Sequence, residues 1–314
     1  MKKTSPPPSL KKIKTISLRK RPSKVTVNDF GTPHQRGKSF TDFLKTLPHL
    51  LAAKDFKDIV QRVVKARHRK KPIIFGIGAH VIKVGLNPLL IDLMQRGIIS
   101  CLAMNGAGAI HDVEIALAGK TSEDVSPRLQ RGTFGMSPEA AQVINQAVKK
   151  GLHYKWGMGE AIGRHLLELS PPYLGMSLLA AAARNNIIST VHVSIGTDTI
   201  HLHPSFDGAA TGKLSHKDFT RFSQMVSQLE GGVYFNIGSA VILPEVFLKA
   251  IALNSNLKRG IKNLTTVNMD FIRHYRPSVN VVERPTAQGG KGYHLIGHHE
   301  IMLPLLAAAI VETL

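Results

Sequence analysis

Residues 73–118, IIFGIGAHVIKVGLNPLLIDLMQRGIISCLAMNGAGAIHDVEIALA, read as strand, helix, strand, glycine-rich turn, helix. The apolar run Ile73–Ile77 breaks at Gly78. Asn87 and Pro88 then supply a helix start, a capping side chain followed by a pre-set φ. Leu89, Leu90, Leu93 and Met94 recur at helical spacing, and Gly97 suits a left-handed stop. A second apolar run, Ile98–Met104, leads into Asn105-Gly106-Ala107-Gly108 and another helical segment. Such a βαβ unit predicts a Rossmann-like parallel sheet, with right-handed crossovers and helices on both faces. Both glycine turns, GIGAH and NGAGAIH, follow strand ends, where open α/β sheets bind ligands. Each lets backbone amides approach a phosphate at a helix start. Neither is a G-x-G-x-x-G fingerprint, and glycine also serves packing alone in such turns.

Further strands are predicted at Ile187–Val193, Val233–Ile237, Asn263–Phe271 and Ser278–Val282. The third delivers SIGTDTIHLHPSFDGAATG, residues 194–212, where Asp198, His201, His203 and Asp207 lie close together. An extended segment would put His201 and His203 on one face, a spacing that metal sites use. Polar side chains held toward an organic ligand, or simple surface display, explain the same loop. Ser215 to Asp218 resembles a capping box that opens a helix to Leu229. Gly238-Ser239 forms a third glycine turn after a strand, and Pro285–Gly292 (PTAQGGKG) reads as an open loop with Lys291. Gly119-Lys120-Thr121 is not a P-loop, because no G-x-x-x-x-G precedes it and no strand leads in. Trp156 is read as a core or interface anchor.

The chain of 314 residues has 41 Lys and Arg against 21 Asp and Glu, a formal charge of +20. Residues 1–71 hold 20 of those cations and four Asp, so +16 sits there and +4 in the rest. Residues 1–40 are therefore expected to be a basic, partly disordered extension, with 41–314 a single α/β domain. The first 24 residues lack the apolar core of a secretory signal. Nucleic acid is a less favoured partner for this arm than a neighbouring subunit, because no aromatic rings interleave with its lysines. The longest uninterrupted apolar run, Ile301–Val311, is too short to span a bilayer. Cys101, the single cysteine, cannot form an internal disulfide, so a reducing cytoplasm is expected.

Over residues 70–314 the order of these strings resembles the deoxyhypusine synthase family. IFGIGAHVIKVGL is similar to its first strand and turn, and LAMNGAGAIHDVEIAL to its Thr-Ala-Gly-Gly stretch. AAARNNIISTVHVSIGTDTIHLHP is similar to its segment bearing a functional aspartate, here Asp198. FNIGSAVILPEV resembles its triple-glycine turn, PTAQGG its Thr-Ala-Gln string, and IMLPLLAAAIVETL its terminal helix. The resemblance implies a deoxyhypusine-synthase-like fold that binds NAD at the carboxyl edge of the sheet, in a homotetramer. It implies cofactor contacts at Gly78, His80, Asn105, Gly106, Ala107, Gly108, Asp112, Gly238, Ser239, Thr286 and Ala287. It also implies an NAD-dependent transferase acting on a polyamine or other small amine, with Asp198, His203 and Lys291 as candidate catalytic residues.

The family's lysine stands in a Ser-Trp-Gly-Lys string that this sequence lacks, and Leu243-Pro244-Glu245 replaces its Lys-His-His string. Orthodox deoxyhypusine synthesis is therefore disfavoured. Two other readings compete. One is a metal-dependent enzyme in which His201, His203, His298, His299 and Glu300 converge. The other is a non-catalytic nucleotide- or RNA-binding protein that uses its basic arm. A single pocket holding Asp112, Asp198 and Lys291 would favour the transferase.

Overall fold

The computed structural model describes residues 7–314; the start of the basic arm, residues 1–6, lies outside the described residues. Residues 7–38 contain two short 3-10 turns with no buried residue. Two helices precede the sheet, α1 (Phe40–Thr46) and α2 (Leu51–His68). Phe56, Ile59, Val60, Val63 and Val64 form the buried stripe of α2, as helical spacing dictates.

The 73–118 stretch folds as its pattern requires: β1 (Ile73–Ile77), α3 (His80–Lys83), α4 (Asn87–Gln95), β2 (Cys101–Asn105) and α5 (Gly106–Ala118). Asn105 caps α5, its Oδ1 accepting from Gly108 N at 3.0 Å, and left-handed Gly119 ends it. At α4 the expected cap is corrected. Asn87 is the first helical residue, and its amide donates instead to Asp112 Oδ1 at 3.3 Å and Met176 O at 2.8 Å.

Then follow α6 (Val125–Gln130), α7 (Pro138–Tyr154), α8 (Met158–Leu169), α9 (Leu178–Arg184), β3 (Ile188–His192), α10 (Gly208–Val226), β4 (Val233–Ile237) and α11 (Ile242–Asn256). Helix α10 begins earlier than the sequence suggested. Asp207 caps it, accepting from Ala210 N at 2.9 Å. Ser215 instead ties mid-helix to β3, accepting from Val193 N at 3.0 Å.

The chain closes with β5 (Thr265–Asp270), α12 (Tyr275–Pro277), β6 (Lys291–Ile296) and α13 (His299–Thr313). Two expectations are overturned here. Ser278–Val282 is not a strand but lies in a π-helical turn, Ser278–Glu283, continuing α12. A short apolar run has no period that separates strand from buried helix. Pro285–Gly292 is not an open loop throughout, since β6 starts at Lys291 and buries Tyr293 and Leu295 alternately.

All six strands are parallel, in the order β3-β2-β1-β4-β5-β6. This is the doubly wound Rossmann order, whose direction of winding reverses between β1 and β4. Odd-numbered residues such as Phe75, Phe235, Val267 and Tyr293 join the core formed with α2, α5 and α13. Ile74 and Tyr234 face the opposite way, with α10, α11 and the π-helical turn. Helices thus cover both faces, and the strand ends alone are left to build a site.

Candidate active site at the carboxyl edge of the sheet

A cavity of about 210 Å³ opens at the ends of β2 and β3, lined by Lys83, Ala107, His111, Glu114, Phe134 and Asp198 among others. Helix α5 supplies its floor through Ala107, Ile110, His111 and Glu114. A Cβ on Gly106 would stand 1.9 Å from Asp198 Oδ2, so the glycine lets that carboxyl lie close to the helix start. Asp198 is thus seated against bare backbone, and burial pushes its carboxyl up to about 6, with His111 acting in the opposite direction. His201 lies behind it, Nε2 3.8 Å from Asp198 Oδ2. Nδ1 of His201 accepts from Gly196 N at 3.0 Å and Asp198 N at 3.1 Å. In the neutral ring the proton therefore rests on Nε2, toward the carboxyl. Burial lowers the pKa of His201, which favours that neutral form. Across the cavity, His111 Nδ1 lies 3.1 Å from Glu114 Oε2 and 2.5 Å from Thr121 Oγ1. The result is an acid able to exchange a proton near neutral pH, beside a cavity of small-molecule size.

The winding reversal, between β1 and β4, lies farther along the same edge, and its turn residues do not line this cavity. A Cβ on Gly78 would stand 2.1 Å from Gly238 O, and one on Gly238 would stand 2.7 Å from His299 Nε2. The turns after β1 and β4 therefore touch through backbone, and both positions must be glycine. His80 follows on the surface, its ring 5.9 Å from that of His299 and 6.1 Å from Phe271. His299 is 1% exposed, neither ring nitrogen has a hydrogen-bond partner, and Nε2 stands 4.0 Å from Asp270 Oδ1. Burial lowers its pKa, although Asp270 acts to raise it. Ser239 serves the local fold, where its Oγ accepts from Leu243 N at 3.2 Å at the start of α11.

Several sequence-predicted residues lie elsewhere. Lys291 is the first residue of β6, paired with Thr265, at the amino edge of the sheet. It is on the edge strand opposite β3, about 24 Å away across five strand spacings. Thr286 and Ala287 precede it at that same edge, Thr286 Oγ1 donating to Val282 O at 2.5 Å. The resemblance assigned to the Pro285–Gly290 string thus falls at the wrong end of the sheet for a contact with Gly78 or Asp198. Asp112 is fully buried. It accepts from Ser177 Oγ at 2.7 Å and from the Leu178 and Leu179 amides at 2.7 and 3.0 Å, anchoring α9. One pocket does not hold Asp112, Asp198 and Lys291. His203 sits past a 3-10 turn rather than on an extended face with His201, its Nδ1 2.8 Å from Ser205 Oγ. His298, His299 and Glu300 open α13 apart from them. Among the described residues, no three His, Cys, Asp or Glu side chains are placed to share a metal ion.

Sequence reasoning missed Asp270 and a buried row behind it. Asn236, Asn268 and His294 are aligned across β4, β5 and β6. Asn236 Nδ2 donates to Asn268 Oδ1 at 2.8 Å and to Ser239 O at 2.9 Å. Asparagines inside the runs VYFNI and TTVNMD were the available signal, since buried strands seldom carry amides without a partner.

No protein-family model matches this sequence, and no curated protein matches it by sequence. Solved structures do match by fold. AgrE in ternary complex with ornithine and NAD+ gives a TM-score of 0.54 at 15% identity, covering 83% of this chain and 33% of that one. A protein from Methanococcus maripaludis S2 assigned to the LOR/SDH group gives 0.52 at 17% identity, covering 84% and 71%. One from Entamoeba histolytica assigned as a deoxyhypusine synthase gives 0.52 at 10% identity, covering 89% and 95%. The chain spans about a third of the length of AgrE and of ArgZ, an arginine dihydrolase of the cyanobacterial ornithine–ammonia cycle. At identities of 10 to 18%, what this chain shares with them is the fold, that of a deoxyhypusine synthase and of NAD-complexed AgrE.

Proposed function

We propose that the carboxyl edge binds NAD and that the chain is an NAD-using enzyme acting on a small amine, of the transferase type. The observation that carries this reading is the row of three glycine-bearing turns at the carboxyl ends of β1, β2 and β4, with the acid Asp198 against the β2 turn. The residues present fit the cofactor. Gly78, Gly106 and Gly238 let the turns, Asp198 and His299 pack closely at this edge, and His299 is a buried polar group without a hydrogen-bond partner. Gly78, His80, Gly238 and Ser239 would hold one part of NAD, and Asn105 to Gly108 at the start of α5 another. Bound NAD supplies a hydride acceptor.

This chain's residues would do the rest. Asp198 anchors an ammonium when ionised, above about pH 6, and loses that hold as the pH falls through about 6 and the carboxyl takes a proton. Glu114 and Glu123 line the same cavity and favour a cation. AgrE, which binds ornithine together with NAD+, supports an amine as ligand for this fold. The distance of Lys291 from Asp198 weighs against imine transfer through that lysine, and Lys83 is the lysine that lines the cavity. A tetramer remains the expectation from resemblance, to be read by light scattering.

Calorimetric titration of the full chain with NAD, alone and with spermidine or ornithine, tests the reading. Micromolar NAD binding strengthened by an amine is expected, with Asp198→Asn keeping NAD binding and losing the amine effect. Absence of NAD binding at millimolar concentration overturns it, and an undiminished amine effect in Asp198→Asn removes the role of Asp198.

A further inference from the structure

The amino edge of the sheet, opposite the cavity, carries cations that the proposed reaction does not use. Helix α2 runs out into Arg69, Lys70 and Lys71 before β1, and α11 into Lys258, Arg259 and Lys262 before β5; all six are exposed. Only β4 separates these strands, so the strand starts that the two groups lead into stand roughly 10 Å apart. Glu230 joins them. Its Oε2 accepts from Lys262 N at 2.8 Å and Asn263 N at 3.2 Å, and those hydrogen bonds, with Lys71 nearby, hold its carboxyl below the usual range. It is one carboxylate among six cations. Ion pairing at this edge uses other residues, Arg96 with Asp92 at 2.7 Å and Arg62 with Asp58 at 3.3 Å. Among the described residues none of the six is in an ion pair.

The helix dipole accounts for cations at the end of α2, whose last turn holds Lys65, Arg67 and His68, but not for the second group, since α11 has none in its last turn and its three follow after it has ended. Holding this many like charges together costs self-repulsion that a polyanion would relieve. We propose that this amino-edge face binds the phosphate backbone of nucleic acid. Arg and Lys side chains position phosphates without reading sequence. Leu257 and Leu314 are exposed large apolar side chains at this edge, too little apolar surface for seating in a membrane. The face is separate from the basic arm and from the NAD reading, and stands whether or not that reading holds.

The test is fluorescence anisotropy of the full chain with a labelled duplex of about 20 base pairs, between about 50 and 200 mM salt. Six phosphate contacts predict that log K falls with log salt at a slope of about −5. R69E/K70E/K71E is expected to weaken binding at least tenfold and to flatten the slope by about 3, one per lost phosphate contact. K258E/R259E/K262E should do the same, and both should keep the wild-type unfolding midpoint because the side chains are exposed. Wild-type affinity and slope in both variants overturn the proposal. So does binding that is lost in K11E/K12E/K14E of the arm instead. No binding at about 50 mM salt, or binding to anionic phospholipid vesicles with none to the duplex, overturns it too.

Discussion

Asp218 and Asp198 both have carboxyls pushed up by burial, to about 7 and about 6, yet only Asp198 faces a cavity. Asp218 works inside the fold, its Oδ2 accepting from Gly159 N at 2.9 Å and Val191 N at 2.8 Å while Oδ1 has no partner. Below about pH 4 it is protonated in both the folded and the unfolded chain. As pH rises the unfolded chain ionises first, so stability is lost between about pH 4 and pH 7 and then levels off, by up to about 4 kcal/mol for this group. Asp218→Asn keeps an oxygen for the two amides and removes the ionisation. Urea unfolding at about pH 4.5 and 7.5 should show a smaller pH loss in the variant; an equal loss would place the titration elsewhere. Asp112 shows why residue roles were only partly legible. It follows a glycine turn as a ligand-binding acid would, but its acceptors are spent on α9. Sequence spacing does not distinguish an acid facing solvent from one facing the core.

At the scale of elements, five strands were legible because each is a bounded apolar run with a glycine, an asparagine or a polar turn beyond it. The π-helical turn and β6 were not, because Val279 to Val282 has no clear period and the glycines before Tyr293 hide a strand's alternation. The resemblance implies a site role for Thr286 and Lys291, and the structure puts both at the amino edge. The turns after β1 and β4 were read correctly as special but not as touching each other. Gly78→Ala is expected to destabilise the chain by about 1–3 kcal/mol, since its Cβ meets the carbonyl of Gly238 at 2.1 Å and backbone must move. It should abolish NAD binding as well. Gly85→Ala is the contrast: its φ is +77 but its surroundings are open, so the cost is that of the left-handed backbone, on the order of 1 kcal/mol, with NAD binding retained. Equal NAD affinity in the two variants would remove the β1–β4 turn pair from the site.

Over the whole molecule the parallel sheet sorts chemistry by edge. Strand ends bring Asp198, His201, His299 and the glycine turns to one side, while helix ends and strand starts bring Lys70, Lys71, Lys258 and Arg259 to the other. The charge of residues 1–71 was visible in the sequence, but its junction with residues 258–262 exists only through the strand order. Ligand binding at the carboxyl edge should be felt globally, since its turns tie β1, β2 and β4, the centre of the sheet. A ligand at about 100 times its dissociation constant adds about 2.7 kcal/mol to folding stability. For a domain of this size that is a rise of roughly 5 °C in the unfolding midpoint. Scanning calorimetry with NAD should show that rise in the wild-type chain and in R69E/K70E/K71E, but not in Gly78→Ala. A wild-type midpoint indifferent to saturating NAD would show that the carboxyl edge does not hold it. A rise lost in the amino-edge variant would show that the two edges are coupled rather than separate.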